Sequence, residues 1–266
     1  MSNEVIINSV AVLAGLGLAV GVMLITASKV FKVDSNPLID EVAELLPGAN
    51  CGGCGFAGCA SCAEAIVESG AAVNSCPVGG FDTAKAIGAL LGQEVSESEP
   101  EYPFVLCQGG NERCVTLYDY EGVEGCKAAL MLCDSRKGCT YGCMGLGTCV
   151  RACQFDALSI GENGFPVVNK NLCTSCGNCI ASCPNGVLTF ARESEKVHVL
   201  CRSHDKGKQV KVSCEVGCIG CKKCEKECPS EAIKVTNFLA EIDQEKCTGC
   251  GKCVDVCPQS AIVRAD

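Results

Sequence analysis

Cysteine is the residue type that most constrains how this chain can fold. The 266 residues include 27 cysteines but only 8 Phe, 4 Tyr and no Trp, so a large apolar core is not available. Most of the cysteines stand two to four residues apart, which suits small metal centres and not bridges between distant strands. Their number is also odd. We therefore expect metal-bound thiolates in a reducing compartment, normally the cytoplasm, and not a disulfide scaffold.

Two runs in the C-terminal half carry the strongest motif. Residues 173–184 read CTSCGNCIASCP and residues 247–258 read CTGCGKCVDVCP, both with the spacing C-x2-C-x2-C-x3-C-P. In bacterial ferredoxins, three cysteines of such a run bind one 4Fe-4S cluster and the fourth reaches the neighbouring cluster. Laying Cys126 on Cys201 without gaps also superposes four further cysteines. This register indicates two copies of one unit.

Ligand sets follow from the exchange of the fourth cysteine between paired runs. The second unit matches the pattern at every position. In the first unit Leu146 aligns with Cys221 and cannot bind iron, so we expect Cys139 to replace it; a loop too wide to close would leave a three-iron or labile cluster. The predicted sets are Cys139, Cys143, Cys149 and Cys183; Cys173, Cys176, Cys179 and Cys153; Cys218, Cys221, Cys224 and Cys257; and Cys247, Cys250, Cys253 and Cys228.

A separate four-cysteine motif lies nearer the N-terminus. Residues 51–59 read CGGCGFAGC, and Cys76-Pro77 follows. Glycines between the thiolates allow the backbone to close around a buried centre. Zinc sites also use C-x2-C pairs, but zinc would leave redundant thiols in the later triplets, so iron-sulfur chemistry is favoured. This motif predicts a fifth 4Fe-4S cluster, with the ligands Cys51, Cys54, Cys59 and Cys76.

Seven cysteines have no place in these five sets. They are either free buried thiols or, in part, ligands of a sixth centre that draws on Cys107, Cys126, Cys201 or Cys214. The two histidines, His198 and His204, are expected to be packing or surface residues. No nucleotide loop, flavin motif or acid–base pair is found in the sequence, so no complete catalytic site is expected. The seven cysteines are Cys62, Cys107, Cys114, Cys126, Cys133, Cys201 and Cys214.

An uncharged apolar segment precedes all of these motifs. Residues 5–28 carry no charged side chain and are long enough, as a helix, to cross a bilayer core of about 30 Å. Glu4 precedes the segment and no convincing cleavage site follows it, so a retained anchor is favoured over a secretory signal. Lys29 and Lys32 follow it, and the positive-inside bias then places the rest of the chain in the cytoplasm. We expect a single-pass protein of the cell (inner) membrane.

The predicted fold class is α+β, built from small domains that iron-sulfur clusters organise. A net charge of −9 argues against nucleic acid as a partner and indicates partners with Lys and Arg patches. The expected order is a transmembrane anchor at 1–33, a four-cysteine 4Fe-4S domain at 34–92, a linker and cysteine-containing connector at 93–138, and two tandem bacterial-type 2[4Fe-4S] ferredoxin-like units at 139–192 and 193–266.

The motifs, taken in this order, resemble the B subunit of the Rnf complex. The resemblance rests on the apolar N-terminal segment, CGGCGFAGC with its later CP, YGCMGLGTCVRACQFDAL (141–158) and CTSCGNCIASCP. It implies a subunit of an ion-translocating ferredoxin:NAD oxidoreductase that accepts electrons from soluble reduced ferredoxin. The electrons would pass to flavin- and iron-sulfur-bearing partner subunits, coupled to transport of Na+ or H+. The direction of flow and the pumped ion stay open.

Two other functions remain as alternatives. One is an electron-delivery subunit of a membrane dehydrogenase that does not pump ions, or of a system that reduces a redox sensor. The other is a cluster-storage or scaffold protein, which would transfer iron readily to apo-proteins.

Overall fold

The N-terminal segment forms a single long helix. The computed structural model describes residues 3–30, 36–97 and 99–265, and α1 (Asn3–Val30) covers the first of these ranges. Its window Val10–Ala27 has a mean hydropathy of 2.4 and contains no buried residue, and among the described residues α1 alone is long and apolar enough to cross a membrane. This agrees with a membrane anchor. Lys32, which served to predict the orientation, lies outside the described residues.

Residues 42–266 form one compact unit, and residues 1–41 form another. Its first part is helical, with α2 (Pro37–Leu45) entering it and α3 (Cys59–Glu68) and α4 (Gly80–Leu91) following. The side chain of Asn50 fixes the start of α3, because its Oδ1 accepts a hydrogen bond from the Cys59 N–H at 2.8 Å. Apolar side chains between these helices are buried: Val42, Ala63, Ile66, Ala84 and Ile87.

The rest of the unit consists of short elements joined by cysteine-bearing loops. In each of the four cysteine runs at 143–153, 173–183, 218–228 and 247–257, the loop leads into a short helix and then into a strand. In chain order they are β1 (Glu101–Val105), α5 (Cys126–Cys133), α6 (Thr148–Arg151), β2 (Leu158–Ile160), β3 (Pro166–Val168), α7 (Asn178–Ser182), β4 (Leu188–Arg192), β5 (Val197–Val199), α8 (Gly207–Ser213), α9 (Lys223–Glu227), β6 (Ile233–Thr236), β7 (Leu239–Ile242), α10 (Lys252–Asp255) and β8 (Ile262–Arg264).

Four antiparallel strand pairs build two similar halves, with two pairs in each half. They are β1 with β4, β2 with β3, β5 with β8, and β6 with β7. Glu101 of β1 lies opposite Arg192 of β4, and the two side chains form an ion pair at 2.8 Å. β1 belongs to the stretch 93–138 that was expected to be linker and connector, so part of this stretch completes the sheet of the first half, as β5 does for the second.

Hydrogen bonds to sulfur show which cysteines are equivalent in the two halves. The Cys143 N–H donates to the sulfur of Cys107 at 3.4 Å, and the Cys218 N–H donates to the sulfur of Cys201 at 3.2 Å. Cys107 and Cys201 also follow the equivalent strands β1 and β5 directly. The structural counterpart of Cys201 is therefore Cys107, and not Cys126 as in the ungapped overlay of the sequence.

The apolar cores of the two halves are small and include cysteines. Their backbone elements are too short to bury many large side chains, so the sulfur-lined loops make up much of the interior. The first core contains Cys149, Ala157, Leu158, Cys179 and Leu188. The second contains Val197, Val199, Cys224, Ile233, Val235, Leu239, Ala240, Cys253 and Ile262.

Candidate functional site

The four cysteines predicted in the N-terminal motif line one recess. Cys51, Cys54, Cys59 and Cys76 surround about 320 Å³ of empty space together with apolar side chains such as Leu46 and Val78. Gly52 and Gly55 turn the loop with φ values of 70° and 83°, a conformation that glycine adopts without strain. The structure thus brings the predicted set together between α2 and α3.

Cys62 lines the same recess from the first turns of α3. Its side chain is 1% exposed. Burial raises the pKa of this thiol to about 12, and the neighbouring Cys54 thiol adds to the effect. Cys62 is therefore a neutral buried thiol beside the other four, in the packing position that the sequence indicated.

A second recess contains three of the four cysteines expected for the first cluster of the first ferredoxin-like unit. Cys143, Cys149 and Cys183 line about 370 Å³ of empty space, and the fourth cysteine on its wall is Cys126. The structure does not bring Cys139 to this recess. Helix α5 begins at Cys126, whose N–H donates to Oγ1 of Thr148 at 2.7 Å.

This bond explains why Cys126 takes the place expected for Cys139. Thr148 directly precedes Cys149, so the bond fixes the start of α5 beside a predicted ligand. Burial, together with the nearby Cys126 and Cys183 thiols, raises the pKa of Cys149 to about 11. Cys126 thus lies with Cys149 and Cys183 and provides the fourth thiol of this recess, in place of the ligand that is missing at Leu146.

Cys139 lies instead in a third recess, between the two halves. This recess has about 470 Å³ of empty space and is also lined by Cys107, Cys201 and Cys214. A Cβ placed on Gly142 would lie 3.5 Å from the sulfur of Cys139 and 3.7 Å from that of Cys107. A Cβ on Gly109 would lie 3.4 Å from the sulfur of Cys214 and 3.8 Å from that of Cys107. Two glycines therefore make room for three sulfurs, and we name this the inter-unit recess.

Backbone N–H groups point at the four sulfurs of the inter-unit recess. Cys201 accepts hydrogen bonds from the N–H groups of Ser203 and Cys218 at 3.5 and 3.2 Å. Burial raises the pKa of Cys139 to about 11, and hydrogen bonds from backbone N–H groups partly offset this increase. Such donors stabilise sulfur that carries negative charge, as metal-bound thiolate does.

A buried lysine also faces the inter-unit recess. Lys137 is 2% exposed, lines the recess, and donates from Nζ to the carbonyl oxygen of Gly110 at 2.8 Å. The ion pairs found in the described part of the chain do not include Lys137. A buried ammonium without a carboxylate costs free energy unless another anion faces it. The recess is therefore built for negatively charged contents.

Cys114 completes the wall of the inter-unit recess. It lies opposite Cys214 in an isolated antiparallel bridge. The Cys214 thiol hydrogen-bonds to the Cys114 sulfur, which lowers the pKa of Cys114 and raises that of Cys214. Cys133 lies elsewhere, at the end of α5, where its thiol donates to the carbonyl oxygen of Ala129 at 3.0 Å.

The second ferredoxin-like unit has the predicted arrangement of its first set. Cys218, Cys221, Cys224 and Cys257 line a recess with about 340 Å³ of empty space. Burial raises the pKa of Cys224 to about 12, and the Cys218 thiol adds to the effect. The Ala261 N–H donates to the sulfur of Cys257 at 3.3 Å.

The two remaining predicted sets are also clustered. Burial raises the pKa of Cys253, and the thiols of Cys247, Cys250 and Cys228 raise it further because they lie close by. The same holds for Cys179, whose pKa rises to about 12 through burial and the thiols of Cys176 and Cys173. Cys153 and Cys173 pack against the core that contains Cys179.

The histidines take no part in these recesses. His198 stacks on Phe104 with ring centroids 4.2 Å apart, and its Nε2 lies 3.0 Å from the carbonyl oxygen of Glu195. Burial lowers the pKa of His198. His204 meets the ring of Tyr141 edge-on at 5.6 Å.

The geometry fits multi-atom clusters better than single metal ions. Within 3–30, 36–97 and 99–265, no three His, Cys, Asp or Glu side chains converge closely enough to hold one ion. The cysteines instead line recesses in groups of four or more, and buried thiols of raised pKa need a cationic centre to ionise. Iron-sulfur clusters, which take four thiolates around a cube, satisfy both conditions, whereas a zinc ion needs four sulfurs about 2.3 Å from one point.

Three family models match the chain. One described as "Putative Fe-S cluster" covers residues 46–78, and two described as "4Fe-4S dicluster domain" cover residues 172–232 and 217–262. The two dicluster matches overlap because each needs two cysteine runs, and a repeated chain offers the middle run to both. The predicted fold class, with its cluster domain and dicluster units, is confirmed.

Curated relatives match most of the chain. It is 82% identical over 244 residues to the B subunit of the ion-translocating oxidoreductase complex of Methanosarcina acetivorans, with 92% of each chain covered. The chain belongs to the Rnf B-subunit family. It is also 42% identical to the B subunit of the Na(+)-translocating ferredoxin:NAD(+) oxidoreductase complex of Acetobacterium woodii, with 92% of this chain and 74% of the relative covered. The identity is again 42% to the B subunit of the proton-translocating ferredoxin:NAD(+) oxidoreductase complex of Clostridium ljungdahlii, with 90% of this chain and 84% of the relative covered. It is thus a subunit of an ion-translocating oxidoreductase complex.

The family models leave part of this Rnf B subunit undescribed. Residues 79–171 lie outside all three matches, and they contain Cys107, Cys126 and Cys139. Only the structure places these three cysteines, with Cys126 beside Cys149 and the other two in the inter-unit recess. A repeated tripeptide in the sequence, Val-Leu-Cys ending at Cys107 and again at Cys201, is the signal that would have paired them.

Proposed function

We propose that this chain accepts electrons from reduced ferredoxin and passes them to partner subunits of an ion-translocating ferredoxin:NAD oxidoreductase complex in the cell membrane. Two relatives carry the names of such complexes. The observation that carries the proposal is the presence of four cysteine-lined recesses in the described part of residues 42–265. The bulk of the chain lies on the cytoplasmic side, since Lys29 and Lys32 follow the apolar helix.

Six 4Fe-4S clusters occupy these sites. Such a cluster, when bound, takes up and releases one electron. The residues of the chain supply the thiolates, the backbone N–H donors to sulfur and the apolar walls that exclude water. The ligand sets are Cys51, Cys54, Cys59 and Cys76; Cys173, Cys176, Cys179 and Cys153; Cys126, Cys143, Cys149 and Cys183; Cys107, Cys139, Cys201 and Cys214; Cys218, Cys221, Cys224 and Cys257; and Cys247, Cys250, Cys253 and Cys228.

The set in the inter-unit recess follows from the equivalence of the two halves. Cys107 corresponds to Cys201, and Cys139 corresponds to Cys214 because each stands four residues before the next ligand. Each half therefore contributes two thiolates. Cys143 also touches this recess but lies with Cys126 in the neighbouring one.

Contacts between neighbouring sites support a continuous path. The N-terminal motif touches the run after Cys173, because Asn178 Nδ2 donates to the carbonyl oxygen of Cys51 at 3.0 Å. Gly142 and Cys143 line both the recess of Cys149 and the inter-unit recess. The hydrogen bond from the Cys218 N–H to Cys201 then joins the inter-unit recess to the second unit.

The test uses the complete complex in membrane vesicles. Reduced ferredoxin should reduce NAD only when this chain is present, and a Na+ or H+ ionophore should change the rate if transport is coupled. Purified full-length chain should contain about 24 irons, four for each of six clusters, and matching acid-labile sulfide. Zinc without sulfide would refute the proposal. A chain that reduces a soluble partner without any ion dependence would instead support the non-pumping alternative.

A further inference from the structure

Basic residues are concentrated in the part of the sequence that contains Cys221. The whole chain has a net charge of −9, yet residues 201–228 contain seven of its 22 Lys and Arg and only four Asp and Glu. All seven side chains are exposed, and Cys221 is exposed as well. The seven are Arg202, Lys206, Lys208, Lys211, Lys222, Lys223 and Lys226.

Backbone contacts bring three segments together around the Cys221 loop. Gly207, which begins α8, packs against the loop, since a Cβ on Gly207 would lie 2.7 Å from the carbonyl oxygen of Ile219. Gly220 packs against the hairpin turn between β6 and β7, where a Cβ would lie 2.9 Å from the Cα of Phe238. The segments that carry Lys206, Lys208 and Phe238 therefore pack against the loop that carries Cys221.

Lys222 adopts a backbone conformation that disfavours it. Its φ is 61°, and the equivalent positions before the helices of the other three runs are Gly147, Gly177 and Gly251, with φ values of 70°, 78° and 79°. A residue with a Cβ is strained in this region, and glycine is not. Lys222 therefore places a charged side chain directly after Cys221, at a position where the other three runs have glycine.

Exposed apolar side chains accompany these charges. Phe238 is 45% exposed at a φ of 65°, a turn position where glycine is preferred, and Val212 of α8 is 75% exposed. In the described part of the chain, the ion pairs formed by lysine and arginine involve Lys170, Arg192 and Lys246 alone. The basic groups around Cys221 are thus available to a partner.

We propose that this face, the Cys221 surface formed by residues 202–212, 219–226 and Phe238, docks a soluble acidic iron-sulfur carrier. The inference rests on the proposed function and names its point of entry. An acidic carrier is repelled by most of a chain of net charge −9, so local attraction at the Cys221 surface selects the site of encounter. The reduced carrier then loses one electron to the Cys221 site.

The test measures binding and electron transfer with the full-length chain in nanodiscs of uncharged lipid. The probe is an acidic ferredoxin, oxidised for equilibrium binding and reduced for stopped-flow kinetics. The double variant Lys222→Gly/Lys223→Glu should bind roughly tenfold more weakly at low salt, and the difference should shrink at about 1 M salt, where charges are screened within about 3 Å. Lys222→Gly relieves the strained φ, so a folding defect is not expected from it.

Lys252→Glu is the matched control. Lys252 takes the position of Lys223 in the run that contains Cys250, which is also an exposed cysteine. This variant should bind the carrier within about twofold of the wild type.

The outcomes separate the two proposals. If wild-type chain neither binds the carrier nor takes electrons from it, although dithionite reduces its clusters, the proposed function fails. If the wild type does both and the double variant behaves like it, or Lys252→Glu is the weaker binder, the Cys221 surface is not the docking site. Loss of partner subunits from the complex with unchanged carrier binding would also overturn the inference, since the surface would then serve assembly.

Discussion

Replacement of Lys137 by methionine is the sharpest test of the inter-unit site. The ammonium group is buried, faces the recess, and has a carbonyl oxygen as its hydrogen-bond partner. Methionine has a similar volume and no charge, so Lys137→Met removes the positive charge and leaves the packing largely unchanged. Reduction adds negative charge to the site, and a site without this cation is harder to reduce.

The structure sets the size of the effect. Lys137 Nζ bonds to Gly110, and a Cβ on the preceding Gly109 would lie 3.4 and 3.8 Å from the sulfurs of Cys214 and Cys107, so we take a separation of roughly 7 Å between the ammonium and these sulfurs. At that distance and an effective dielectric constant of 20, one unit charge contributes about 2.4 kcal/mol. For a one-electron couple this corresponds to roughly 100 mV. We expect one midpoint potential of the six to fall by about this amount.

The assay is an anaerobic redox titration of the full-length chain followed by EPR. Lys234→Met is the control, because Lys234 is an exposed lysine on β6, away from the inter-unit recess. The control should leave all midpoint potentials unchanged. If Lys137→Met changes none of them while iron content stays at the wild-type value, Lys137 does not face a cluster and the assignment of the inter-unit site is wrong.

Four further substitutions test the remaining assignments. Cys126→Ser and Cys139→Ser should each lower the iron content by about four per chain but abolish different EPR signals, since their thiols lie in different recesses; loss of the same signal from both would restore the sequence-based set. Cys62→Ala should leave iron and sulfide unchanged, because Cys62 is a neutral thiol beside a complete set, and a loss of iron would make it a ligand. Gly53→Ala should lower the free energy of unfolding by about 1–3 kcal/mol in chemical denaturation, because its Cβ would lie 2.5 Å from the carbonyl oxygen of Cys176; an unchanged value would mean that this contact is loose.

Local cysteine runs were predictable because their geometry is local. Three ligands of a cluster lie within seven residues in the run that begins at Cys173 and in the one that begins at Cys247, so the spacing alone defines a loop around one centre. The N-terminal set is nearly as compact, and the structure gathers its four cysteines in one recess. The apolar helix was equally clear, since its composition is uniform over more than a membrane thickness.

Ligands that come from distant segments were not predictable in this way. Cys126 stands 17 residues before Cys143 and reaches its recess through the bond to Thr148 that only the fold reveals. From the sequence, Cys139 is expected in this set because it is the unassigned cysteine nearest to Cys143. Strand pairing shows which cysteines are equivalent in the two halves, since β1 and β5 hold Cys107 and Cys201 in equivalent positions.

Net charge alone does not describe the surface. The acidic average indicated partners with basic patches, but it does not show how charge is distributed along the chain. Residues 201–228 reverse the sign locally, and the strained φ of Lys222 is visible only in the structure. The sequence shows where the lysines stand, and the fold shows that α8 and the turn between β6 and β7 pack against the loop of an exposed cysteine, Cys221.

The inter-unit recess exists only because the unit is present in two tandem copies. A solitary copy of the unit possesses two of the four thiolates needed at this place, Cys107 and Cys139 in the first copy, and cannot close the site by itself. In the six-cluster arrangement that we propose, joining a second copy therefore adds three redox centres and not two, with the extra one at the seam. Severing the chain between β4 and β5 would consequently interrupt conduction at its middle, even if both fragments retained every other cluster.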